Sequence, residues 1–202
     1  MIRRFYSSLL WLPLISFNGF SSQDWNEKKN KDGIRIEVRK LQNHKYQEIR
    51  AETIIDSSIT EVFQFISNTN SCEKWVYRCG FSEERRSMDR ETRVIYQLTK
   101  FPFPFKSREV FLTTKTTLNP DRSIKIRMES TKNEKREKSS LLEIKKATIE
   151  YLLTPTPEGV TRISWQQYVD PGGNLPTWAV DKENIFFVQK SLGNLKKIMA
   201  PD

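Results

Sequence analysis

The residue types that most often carry chemistry are few in this chain, and their spacing decides what they can do. His44 is the only histidine among 202 residues. It sits in the polar stretch 42–45 between two apolar-patterned segments, the place of a solvent-exposed hairpin turn and not of a general base. Glu83 and Glu84 are adjacent, so in a strand they point to opposite faces and form no acid–base pair. Cys72 and Cys79 are the only cysteines. In an oxidising compartment they can close a small disulfide loop, whereas in a reducing one they stay two thiols. A zinc site takes about four ligands, and two cysteines with a remote histidine do not supply them. Arg108 and Glu109 read as a structural ion pair, with the anchoring of a ligand as the alternative role of Arg108. The chain shows no nucleophile elbow, no glycine-rich phosphate loop and no histidine metal pattern. No catalytic residue, metal or cofactor is expected, which leaves binding.

Composition narrows what is bound. Lys and Arg number 34 against 25 Asp and Glu, a formal net charge of +9. The charged run KNEKREKSSLLEIKK, residues 132–146, has acids interrupting its basic clusters and no aromatic platforms nearby, so it reads as an exposed loop or strand edge, not a nucleic-acid interface. The basic surface does favour docking to anionic membranes, where each Lys or Arg contributes about 1 kcal/mol. At the N-terminus, Arg3 and Arg4 precede 13 uncharged, largely apolar residues, 5–17, followed by small residues that include Gly19 and Ser21. That layout predicts a secretory signal peptide over residues 1–21, because the apolar stretch is short of the ~18 residues of a membrane span. An uncleaved anchor and a buried first helix are the alternatives. The mature protein is thus expected to be exported, periplasmic or secreted; losing Arg3 and Arg4 and no acid lowers its charge from +9 to +7. With 37% hydrophobic and 29% charged residues, the remainder reads as one soluble globular domain over residues 25–200, expected to be a monomer.

The elements that would position these residues follow from apolar periodicity. Residues 25–32 are polar and read as a short first helix or a loose lead-in. Ile34, Ile36 and Val38 alternate with charged residues, the period of a half-buried strand, and a second strand over residues 46–55 completes a hairpin. Ser58 with Glu61 makes a capping box, and Ile59, Val62, Phe63 and Ile66 fall on one helical face. Trp75 should anchor the following segment to the core. Four further strands are counted between residues 79 and 153. Val94, Tyr96 and Leu98 share one face, as do Val110 with Leu112, Ile124 with Ile126 and Met128, and Ile149 with Tyr151 and Leu153. Ile163, Trp165, Gln167 and Val169 mark the last strand.

That strand ends in YVDPGGNLPTW, residues 168–178. Pro171, Gly172 and Gly173 let the chain reverse at low steric cost, and Pro176 suits a first helical turn. Beyond it Trp178, Ile185, Val188, Leu192, Leu195 and Met199 recur at spacings of 7, 3, 4, 3 and 4, the stripe of a long amphipathic helix. A curved antiparallel sheet wrapped around such a C-terminal helix leaves a tunnel between them.

Over residues 25–199 the sequence resembles the START domain, the lipid-transfer fold related to the steroidogenic acute regulatory protein. The resemblance rests on Asp32-Gly33, Trp75, Phe101-Pro102-Phe103-Pro104 with Ser107-Arg108-Glu109-Val110, Tyr151 with Leu153 before Pro155, and above all residues 168–178. It implies an α+β helix-grip fold and a lipid or other hydrophobic small molecule held in an internal cavity, with the last helix as a lid. Departures are Glu109 for the usual Asp, Tyr151 where Trp is common, and Thr114 where sterol carriers place a second buried Arg, so a sterol ligand is not implied. Cyclases and hydrolases of the same superfamily make an enzyme using that cavity the alternative. On this reading the sheet contributes Tyr96, Leu98, Arg108, Val110, Leu112, Ile126, Met128, Tyr151 and Trp165 to ligand binding. The helix contributes Trp178, Ile185 and Leu192 to lining or gating.

Overall fold

In the computed structural model, residues 24–132 and 140–201 are described; the expected leader, residues 1–21, lies outside them, as do residues 133–139 of the charged run. The chain opens with β1 (Asn26–Lys31), β2 (Ile34–Lys40) and β3 (Gln47–Ile55). Residues 25–32 are therefore mostly a strand, not a helix or lead-in. Its register runs antiparallel to β2, from Asn26 opposite Val38 to Lys31 opposite Ile34. β1 escapes an apolar-pattern reading because it is an edge strand wet on both faces, and its lysines are what protects such an edge from further pairing. Trp25 at its mouth lies between the guanidinium groups of Arg39 and Arg50, 4.4 and 4.6 Å from the ring centre.

Helix α1 (Ile59–Ser67) starts as its capping box requires: the Glu61 amide donates to Ser58 Oγ at 3.3 Å, and the Ser58 amide donates to Glu61 Oε2 at 3.0 Å. A 3₁₀ turn and the short α2 (Cys72–Trp75) lead to β4 (Cys79–Ser87), and a Cys72–Cys79 disulfide closes the corner with Cα atoms 5.9 Å apart. Then come β5 (Thr92–Thr99), β6 (Arg108–Leu118), β7 (Ile124–Ser130), β8 (Leu142–Glu143), β9 (Lys146–Pro155) and β10 (Thr161–Asp170), and α3 (Thr177–Ile198) closes the chain. The four strands expected between residues 79 and 153 are joined by β4 and β8. β4 lacks clean alternation because bulges after Cys79 and Glu84 break its period; β8 is two residues long.

The strands form one ten-stranded sheet in the order β1-β2-β3-β10-β9-β7-β6-β5-β4, with β8 attached to β6. Every pairing is antiparallel except β6 with β8. Val188, Leu192 and Leu195 of α3 are fully buried against the Ile34, Ile36, Ile49 and Ile163 side of the sheet. At about 25 cal/mol per Å² of apolar surface, each such side chain stabilises the closed helix by about 1.5–3 kcal/mol. The C-terminal half is also tied by hydrogen bonds: Asn194 Nδ2 to the Trp75 carbonyl at 3.2 Å, and Lys196 Nζ to the Ile54 carbonyl at 3.2 Å. The expected stripe starts too early, since Trp178 is 73% exposed while Val180 is buried. Trp178 sits in the first turn of α3 and faces solvent.

Candidate functional site

Between the N-terminal half of α3 and the concave face of β5, β6, β7, β9 and β10 the fold leaves a cavity of about 260 Å³. Its apolar wall is built by strand parity. Val110 and Leu112 come from β6, Met128 from β7, Ile149 and Tyr151 from β9 and Trp165 from β10, and Phe187 of α3 roofs them. Trp75, Tyr151, Trp165 and Phe187 stack edge-on or tilted in sequence, with ring centres 5.0–6.1 Å apart. Such edge-to-face rings hold one another rigidly. Burial pushes the Tyr151 phenol far above its ordinary range, so it stays neutral. The mouth lies where Phe101, Pro102 and Phe105 of the β5–β6 loop meet Leu175 and Pro176.

Polar groups also face this wall, and of them only Gln167 fell on the face read from the sequence. They are Gln97 and Thr99 of β5, Gln167 of β10, Arg78 after α2, and Glu183 with Asn184 of α3. Trp165 donates its indole N–H to Gln167 Oε1 at 3.1 Å. Arg78 Nη1 and Glu183 Oε1 are 2.8 Å apart, so the two charges on the wall neutralise each other and join α3 to the disulfide-closed corner. The same corner receives a second tie, from the Tyr77 amide to Ser191 Oγ at 2.9 Å.

The structure places five of the expected binding residues, Val110, Leu112, Met128, Tyr151 and Trp165, on this wall. The other seven lie elsewhere. Tyr96 and Leu98 are the clearest correction: Ile95 pairs with Leu112 and Gln97 with Val110 across the β5–β6 ladder, while Tyr96 faces Phe111 and Leu98 faces Glu109. The inward face of β5 is therefore the one with Ile95, Gln97 and Thr99. The outer face carries its own aromatic group, in which Tyr96 lies 6.3 Å from Phe81 and 5.2 Å from Phe111. There Tyr96 donates to Glu109 Oε2 at 2.9 Å, and burial together with that carboxylate raises its phenol to about 12. Ile126 lines a smaller neighbouring chamber. Ile185 and Leu192 pack into the core under α3 and Trp178 faces solvent, so these three are off the wall.

Arg108 is also off the wall, and the expected ion pair with Glu109 does not form, because neighbours on a strand face opposite ways. Its side chain is 1% exposed. The guanidinium donates to the Lys106 carbonyl and, at 3.4 Å, to the Pro171 carbonyl, and lies 4.1 Å over the Phe101 ring. It thus pins the mouth loop to the turn before α3. Desolvation lowers its affinity for the proton. In that turn Gly172 and Gly173 have φ of 66° and 72°, values that side chains resist. A Cβ at Gly172 would also stand 2.8 Å from the Glu143 carbonyl oxygen.

A curved antiparallel sheet gripping one long C-terminal helix over an apolar cavity is the helix-grip α+β fold, and its wall supports binding of a hydrophobic ligand. The START domain family model matches residues 15–192, and the chain belongs to that family. An uncharacterised protein of Pseudomonas aeruginosa is 24% identical over 181 residues, covering 89% of this chain and 87% of that one. A STAR-related lipid transfer protein from Xanthomonas axonopodis has the same fold at a TM-score of 0.79 and 20% identity, over 87% of this chain and 98% of that one. Human StAR-related lipid transfer protein 5 is similar at a TM-score of 0.80 and 17% identity, over 87% of this chain and 86% of that one.

Proposed function

We propose that the protein is a non-enzymatic carrier that holds a lipid or another hydrophobic small molecule in the cavity under α3 and exchanges it with an anionic membrane. The observation that carries this reading is the apolar cavity of about 260 Å³ roofed by the half of α3 next to the Gly172–Gly173 turn. That volume is near the lower end of the ~300–1,000 Å³ of ordinary small-molecule pockets. Each buried methylene contributes about 0.8 kcal/mol, so a chain that fills the space is retained without covalent chemistry. A longer ligand requires α3 or the mouth loop to swing outward. Binding is favoured over cyclase-like or hydrolytic chemistry because the charged wall residues, Arg78 and Glu183, are paired with each other.

Phe103, Phe105 and Trp178 are 97, 49 and 73% exposed around the mouth, and exposed aromatics beside an opening fit a bilayer interface. Export belongs to the same reading: the Cys72–Cys79 disulfide fits an oxidising compartment. The carrier acts as a monomer. Native mass spectrometry of the purified protein is expected to release a bound lipid-like molecule. A protein that carries none, and shows no saturable uptake of any fluorescent fatty acid or lipid, is not a carrier.

A further inference from the structure

Residues 72–79 form the loop that the disulfide closes, and α3 rests on it from Glu183 to Asn194. Asn194 Nδ2 donates to the Trp75 carbonyl at 3.2 Å, and the Tyr77 amide donates to Ser191 Oγ at 2.9 Å. The Tyr77 ring lies edge-on to Phe186 and Phe187, with ring centres 5.3 and 6.4 Å away. Arg78 pairs with Glu183. Val76 and Arg78 of the loop, and Glu183 and Phe187 of the helix, also line the cavity, so the loop is at once wall and seat of the roof. Arg78 has a further property. Its φ of 61° is left-handed, a conformation that a side chain disfavours and that persists only where the surroundings impose it. Two neighbours impose it here: the Lys100 amide donates to the Arg78 carbonyl at 2.9 Å, and the next residue is the bridged Cys79.

We propose that the Cys72–Cys79 bridge sets how long the ligand stays: closed, it holds Arg78 against Glu183 under the roof, and opened to two thiols it lets the loop relax and the ligand leave faster. This rests on the carrier reading of the cavity. A crosslink acts chiefly by removing alternative conformations of the segment it closes. Once it is cut, Arg78 can leave the left-handed region, and its guanidinium then moves with the backbone away from Glu183. The flanks stay anchored, because Trp75 is 3% exposed in the core and β4 keeps its ladder with β5; opening the bridge changes the seat and not the fold. The chemistry is thiol–disulfide exchange with a dithiol donor. One donor thiolate bonds to a cysteine sulfur and breaks the S–S bond, and the second then displaces that sulfur. The protein ends with two thiols, carrying the two protons of the donor, and the donor ends as a disulfide. The ligand is thereby held in an oxidising compartment and let go where dithiols abound.

The test loads the oxidised protein with the fluorescent apolar probe 1-aminoanthracene and follows its dissociation on dilution, before and after dithiothreitol. Titration without denaturant should then find both cysteines of the chain as thiols, and circular dichroism should not change. Dissociation should quicken about tenfold, or ~1.4 kcal/mol of barrier. Cys72→Ser/Cys79→Ser should release the probe at the reduced rate with no reductant present and should ignore dithiothreitol. The readout that a merely structural bridge would not move is its coupling to Glu183. Glu183→Gln should quicken dissociation from the oxidised protein and add nothing once the bridge is open, whereas a bridge that only raises stability leaves the two effects independent. An unchanged rate on reduction, independent effects, lost circular dichroism, or a disulfide that dithiothreitol reaches only after unfolding each overturns the proposal. An oxidised wild type that takes up no probe would instead sink the carrier reading itself.

Discussion

At the residue scale, the difference between a wall position and a structural one turns on strand parity, and Tyr96 is the instructive case. Its ring packs on the outer face and its hydroxyl serves Glu109, so Tyr96→Phe should leave ligand binding alone and cost about 1 kcal/mol of stability, the worth of one hydrogen bond. The pH dependence has a definite sign. A phenol raised to about 12 by burial and by Glu109, against an ordinary value of about 10, favours its neutral form in the folded protein. Its contribution is complete below about pH 10 and disappears as pH rises through about 12. Denaturant unfolding at pH 7, 10 and 12 should therefore show a shallower alkaline loss in Tyr96→Phe than in the wild type, and equal losses would mean that the Glu109 contact is not made. Apolar identity alone misassigns this residue. On β5 the larger side chains, Tyr96 and Leu98, point outward while Gln97 and Thr99 face the cavity, the reverse of what the rule that apolar faces inward predicts.

At the element scale, the two halves of the helix are held by different means. The C-terminal half of α3 is locked by Val188, Leu192 and Leu195. The half over the cavity is held by Val180, packed with Tyr46 and Tyr168, by the Phe187–Trp165 ring contact, by the Arg78–Glu183 pair and by Asp181 Oδ1, which accepts the Gln47 amide at 3.0 Å. Glu183→Gln removes the charge attraction of a partly exposed pair worth at most about 1 kcal/mol, so ligand dissociation should quicken by up to about fivefold. High salt should reproduce that acceleration in the wild type and add nothing in the variant; a dissociation rate blind to both changes would show that the pair is not a latch. Gly172→Ala acts on the other side of the same half. Its left-handed φ costs a side chain about 1–2 kcal/mol, and the Glu143 carbonyl leaves no room, so the melting temperature should drop; an unchanged value would mean that the turn relaxes freely. Most of these elements were legible because their signals are local. The Ser58–Glu61 box, the alternation of β2, β6, β7, β9 and β10 and the glycine turn are each written within a few neighbouring residues. β1 and β4 were not, one being wet on both faces and the other broken by bulges, and the Arg78–Glu183 contact joins residues 105 positions apart that no periodicity relates.

At the scale of the whole molecule, the proposed docking draws on charge and exposed aromatics around one opening. The chain carries a net +9, or +7 without the expected leader, and Lys100 and Lys106 flank the loop that presents Phe103 and Phe105. In the proposed docking, long-range attraction would bring a basic body to an anionic surface and a few inserted rings would then hold it with the mouth facing the lipid; the first contribution is screened by salt and the second is not. The two are separable by co-sedimentation with vesicles of phosphatidylcholine alone or with a third of phosphatidylserine. Binding should be strong only to the anionic vesicles and should fall as salt rises from 50 to 500 mM, since the screening length shrinks from beyond 10 Å to a few ångströms over that range, about the size of an ion pair. Phe103→Ala and Trp178→Ala should weaken what remains at high salt, and the emission of Trp178, at present in water, should shift to the blue on docking. The fold should tolerate both changes, because neither side chain is part of the core. Equal binding to neutral and anionic vesicles would remove the electrostatic step, and unaltered binding by both variants would place the docking face away from the cavity mouth, leaving a carrier that delivers its ligand by some other surface.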